Sequence, residues 1–81
     1  MAPEHATVFD ELKNRYRAKY PTEAVEVAQG WVKSGATVEP KVYFTIRAGC
    51  EGNGEWHFES TDNTLPTVLL EFDEYLKEQN L

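Results

Sequence analysis

The sharpest pattern of apolar and polar positions lies near the end of the chain. In DNTLPTVLLEFDEYLKEQN, Leu65, Val68, Leu69, Phe72 and Leu76 recur at helical spacing and form one stripe. Thr64 stands where an N-cap belongs. Pro66 fits a first turn, whose N–H groups lack helical partners anyway. A second helical pattern runs through ATVFDELKNRYRAKYP, with Val8, Phe9, Leu12, Tyr16 and Tyr20 on one side. Thr7 is its expected N-cap, with Asp10 three residues on. Pro21 ends it, because a proline pushes the residue before it out of helical geometry.

Between these helices the period changes. KVYFTIRA alternates, with Val42, Phe44, Ile46 and Ala48 on one face and Tyr43, Thr45 and Arg47 on the other. EWHFES repeats the alternation, with Trp56 and Phe58 against His57 and Glu59. The glycine-rich GCEGNG between them reads as a hairpin loop. Pairing Ile46 with Phe58 sets Arg47 opposite His57 and Thr45 opposite Glu59. Residues 22–34 satisfy two templates. Ala24, Val25, Ala28, Trp31 and Val32 share a helical face, with Thr22 as cap and Gly35 as terminator. Val25, Glu26 and Val27 alternate as a strand would, which allows a hairpin turning at Gln29 and Gly30. The helical reading is preferred, and it makes Trp31 a core residue beside Phe72. The expected fold is α+β in the order ααββα, an antiparallel hairpin with helices packed on one face.

Size and charge narrow the picture. With 81 residues the chain forms one domain, spanning 1–81, and its core is small. No apolar run is long enough to cross a membrane and no secretory leader stands at the start. With one cysteine there is no internal disulfide, so a reducing, cytoplasmic setting is expected. The net charge of −6 is uneven. Residues 1–48 carry seven Lys/Arg against six Asp/Glu, and residues 49–81 carry one Lys against eight Asp/Glu. Such a surface repels phosphates and attracts basic proteins.

Candidate chemistry is sparse. GCEGNGEWHFES holds Cys50 and His57, but the expected register sets them on opposite sides of the hairpin, out of the mutual reach a Cys–His pair needs. A structural zinc site usually takes four Cys or His ligands, and the spacing of Glu51, Glu55, Glu59 and Asp62 does not match a calcium loop. No phosphate-binding glycine loop or nucleophile elbow occurs. No catalytic residue, metal or cofactor is therefore expected.

Two surfaces remain. On the last helix Glu71, Glu74 and Glu78 lie opposite the apolar stripe, with Asp73 to one side. Leu70 stands among them as an apolar anchor, and the hairpin adds Glu51, Glu55, Glu59 and Asp62. The second surface is the outer sheet face, with Tyr43, Arg47 and His57. In size, acidity and lack of catalytic motifs the chain resembles small phage-encoded anti-defence proteins, including anti-CRISPRs. That profile implies an inhibitor whose carboxylates stand in for phosphates on a basic nucleic-acid-binding protein. Two alternatives stay open. One is direct nucleic-acid binding through Lys13, Arg15, Arg17, Lys19 and the Tyr43/Arg47 face, which the net charge opposes. The other is a housekeeping subunit of a larger complex. A sheet edge left open by the hairpin offers a route to a homodimer.

Overall fold

A computed structural model describes residues 3–32, 35, 41–50 and 56–81. Helix α1 (Pro3–Lys19) leads into three strands, β1 (Val25–Val32), β2 (Lys41–Cys50) and β3 (Trp56–Asp62), and helix α2 (Leu65–Glu78) follows. The sheet is antiparallel with β2 in the middle. The fold is thus α+β with both helices on one face, as the period changes imply. The element at residues 25–32 is the exception, a strand where a helix is expected.

The reason lies in what β2 needs. Two strands alone are marginal in water, and a third with an apolar face completes a stable sheet. Val25 and Val27 pair with Ala48 and Ile46 and add their side chains to the core face. Gly30, a poor helix residue, suits this strand because it faces Tyr43. A Cβ at Gly30 would overlap the Tyr43 ring, so the missing side chain is the space the ring fills. The chain does not turn at Gln29 and Gly30 but runs straight through them. Trp31 falls beyond the end of the helical cover and is 63% exposed, so it is not a core residue.

The α2 stripe behaves as its period dictates. Leu65, Val68, Leu69, Phe72 and Leu76 are all buried. Pro66 occupies the first turn, and Thr64 is the N-cap residue without a side-chain cap bond; its hydroxyl meets that of Thr67 at 2.6 Å. From α1, Phe9, Leu12 and Tyr16 join the core, and Val8 stays 42% exposed. That helix begins four residues before Thr7, whose hydroxyl donates to the Pro3 carbonyl at 3.0 Å inside the first turn. Thr7 is therefore not the cap. The proline that opens the helix supplies the fixed φ that a first turn requires.

The register of β2 and β3 is shifted by two residues from the expected one. Ile46 pairs with Ser60, Arg47 with Glu59 and Ala48 with Phe58. A two-residue shift keeps every side chain on its face, so apolar patterning alone does not distinguish these registers. Polar pairing does: Arg47 meets Glu59 at 2.5 Å, and the Thr45 and Thr61 hydroxyls meet at 2.9 Å.

Candidate functional site

Three strands lie between the helices, so α1 and α2 run in the same sense, with Val8 near Pro66 and Leu70 and with Arg15 at Asp73. Their outer flanks enclose a cleft of about 430 Å³ lined by Val8, Leu12, Arg15, Leu69, Leu70 and Asp73 among others. Leu70 is 57% exposed at its lip. The positions of Glu74, Glu78 and Glu71 follow Leu70 around α2, away from the cleft, and all three are exposed. Glu71, Glu74 and Glu78 thus share one exposed side of α2, bordered by the apolar cleft.

The structure also divides the acidic candidates. Asp73 takes a 2.6 Å hydrogen bond from Arg15 and lies 3.1 Å from Lys77. Arg15, and then Lys77, hold its carboxyl below the usual carboxylate range. Glu59 is spent on Arg47, which also lies 3.6 Å from Glu26. Asp62 accepts from the Thr64 backbone at 3.1 Å and shapes the entry to α2. Glu71 accepts from the Ser60 hydroxyl and so ties α2 to β3. Among the described residues no cation pairs with Glu74 or Glu78. Glu51 and Glu55 lie outside the described residues.

Three of the four basic candidates on α1, namely Arg15, Arg17 and Lys19, are engaged as well. Besides binding Asp73, Arg15 donates to the Leu81 carbonyl at 3.0 and 3.3 Å. Arg17 donates to the Pro21 carbonyl at 2.9 Å, and Lys19 sits 5.5 Å from the Tyr20 ring. Each of these three charges is directed back onto the chain. On the outer sheet face Arg47 lies 5.8 Å from the Trp56 ring, between Glu26 and Glu59, and Tyr43 covers Gly30.

His57 is not on that face. Its ring is 6.2 Å from the Tyr20 ring, and its Nδ1 lies 3.4 Å from the Tyr16 hydroxyl and 3.6 Å from Glu23. The Tyr16 hydroxyl donates to Glu23. The expected alternation fails here because Gly49 takes φ 79° and gives its N–H to the Ala24 carbonyl at 2.8 Å. The strict two-residue period of β2 ends at that point. This Tyr16–Glu23–His57 cluster was not visible in the sequence, since it joins α1 and the α1–β1 connection to β3, with His57 41 residues from Tyr16. It fastens three segments through one hydroxyl. In the same region Cys50 pairs in register with Trp56. Among the described residues no group of three His, Cys, Asp or Glu side chains is placed to hold a metal ion.

Burial first, and the bond to Glu23 second, push the Tyr16 hydroxyl well above the ordinary tyrosine value. The fold therefore favours its neutral form. The resulting stabilisation is complete below the unfolded value of about 10 and is lost as pH rises beyond it toward the folded value. Tyr75 is raised in the same direction, chiefly by burial. The urea midpoint of the wild type is expected to fall steeply from about pH 9 to 11, and that of Tyr16→Phe less steeply. Parallel midpoint-against-pH curves would show that Tyr16 does not couple ionisation to folding.

No protein-family model matches this chain, and no curated protein or solved structure matches it either. Among the described residues no helix is long and apolar enough to cross a membrane.

Proposed function

We propose that this chain is a non-enzymatic module that binds a basic protein surface through the outer side of α2. One observation carries the reading: Glu74 and Glu78 are exposed and unneutralised among the described residues, directly beside the exposed Leu70 at the lip of the apolar cleft. An apolar contact supplies affinity, and adjacent charge of one sign supplies steering and selectivity. In its most specific form the partner is a nucleic-acid-binding protein, and the carboxylates occupy the place of phosphates, as in an inhibitor of the anti-defence kind. The internal engagement of Arg15, Arg17 and Arg47 favours this reading over direct nucleic-acid binding.

The structure refines the variant that tests it. Glu71 holds Ser60, so reversing it also disturbs the fold. Glu74→Lys with Glu78→Lys changes charge alone. An exposed ion pair is worth about 1 kcal/mol or less, so the double reversal is expected to weaken binding on the order of tenfold. The loss should shrink as salt rises. The measurement is a pull-down from the native host followed by titration of the captured partner. A wild-type affinity in the double reversal, with binding lost in Tyr43→Ala/Arg47→Ala, would move the interface to the sheet face and end the phosphate-mimic reading.

A further inference from the structure

Among the described residues the outer edge of β1 has no strand beside it, since the sheet order places β1 at the margin. Such an edge presents a row of backbone donors and acceptors that can pair with another chain. Beside it, on the core face, lies a shallow groove of about 220 Å³ lined by Val27, Ala28, Gln29, Phe44 and Leu65. Further along the same strand, Trp31 projects from that same face and is 63% exposed. One strand thus carries both a projecting aromatic ring and an apolar recess, two places apart in the side-chain alternation.

We propose that β1 pairs antiparallel with β1 of a second copy, about a two-fold axis at Gln29, so that each Trp31 enters the other copy's groove. Geometry limits the registers, and seating Trp31 beside the groove selects this one. Paired residues must project on the same side of a continuous sheet, so the two positions in each pair differ by an even number. Centring on Gln29 sets Trp31 opposite the other copy's Val27, a groove residue. It sets Ala28 opposite the other Gly30, next to the Tyr43 ring that covers that glycine. It sets Glu26 opposite the other Val32, which is itself 58% exposed and pairs with Lys41 inside its own sheet. Glu26 of one copy and Lys41 of the other then fall in one transverse row with opposite charges. No like charges meet along the seam.

Charge also explains the choice of copy and of edge. The copies meet through residues 25–32, inside the part of the chain that is close to neutral, while Glu59 and Asp62 stand on β3, on the far side of β2. The opposite edge, β3, carries Glu59 and Asp62 and no Lys or Arg, so it brings only acidic charge to a second copy. The result is a six-stranded sheet across two copies. One strand pair and two tryptophans make a small interface, so the dimer is weak and concentration-dependent. The inference is independent of the α2 surface, which stays open in the dimer.

The test is sedimentation equilibrium of the full chain from micromolar to millimolar concentration, with Trp31→Lys in parallel. The wild type should pass from 9.3 kDa to twice that mass, and Trp31→Lys should stay monomeric with an unchanged circular dichroism spectrum. A second readout uses Trp56→Phe, in which Trp31 is the only tryptophan. Its emission should shift to the blue over the concentration range in which the mass doubles. A wild type that stays monomeric to millimolar concentration overturns the proposal. So does a dimer that persists in Trp31→Lys, or one whose formation leaves the Trp31 emission unmoved, because association then uses another face.

Discussion

Phe72→Ala is expected to lower the unfolding free energy by about 3–5 kcal/mol. Phe72 has no exposed surface, and it is the point where three elements meet. Its ring stacks on Phe58 of β3 at 5.2 Å and lies 6.3 Å from Tyr16 of α1 and 6.5 Å from Tyr75 of its own helix. Truncation leaves a cavity that these rigid rings cannot collapse to fill, which places the cost at the upper end for its class. A domain of this length has a total stability of roughly 4–12 kcal/mol. The variant should therefore unfold at far lower urea, with the melting temperature reduced by well over ten degrees. Leu70→Ala is the control, because that side chain is on the same helix and mostly in water. Equal midpoints for the two variants would mean that the helix presents a different face to the sheet.

Phe72 was legible in the sequence because α2 obeys one period without interruption. The same holds for Ile46 and Ala48, where alternation and β-branched residues agree. Residues 22–34 were not legible, and the cause is physical. Val25 satisfies a helical and an extended template equally, and Gly30 weakens both. The decision is tertiary: β2 has an edge that accepts Val25 and Val27, and Gly30 leaves room for the Tyr43 ring across the strand pair. Trp31 follows from that decision, since a side chain at the end of a strand lies beyond the helices that cover its middle. In the candidate site, the outward direction of Glu74 and Glu78 was readable from helical spacing. That Asp73, Glu59, Asp62 and Glu71 have internal partners was not. The bonds of Asp73, Glu59 and Glu71 depend on α1 lying beside α2, β2 beside β3 and β3 beside α2, that of Asp62 on the turn into α2, and helical period carries no such information.

Gly49→Ala is expected to cost about 2–4 kcal/mol, from two sources that add. The first is backbone. Gly49 sits at φ 79°, in the left-handed region, where a Cβ costs roughly 1–2 kcal/mol. The second is space. A Cβ there would overlap the Tyr16 hydroxyl and stand 2.8 Å from His57 Nδ1 and 3.0 Å from Glu23 Oε2. The hydroxyl cannot swing aside. Tyr16 is fully buried, and its ring is held by Tyr20 at 5.1 Å and by Phe72. Relief must therefore come from breaking its bond to Glu23 or from moving β2 off Ala24. Gly30→Ala meets only the ring of Tyr43, a side chain on the open sheet face that can rotate into water, so its cost should be about 1 kcal/mol or less. Urea midpoints of the two variants check the contrast. A double-mutant cycle separates the two sources. In a Tyr16→Phe background the collision with the hydroxyl is gone and the backbone cost remains, so Gly49→Ala should be less destabilising there than in the wild type. The same cost in both backgrounds would show that Tyr16 does not crowd Gly49, and a midpoint equal to that of Gly30→Ala would show that the left-handed backbone at this position stores no strain.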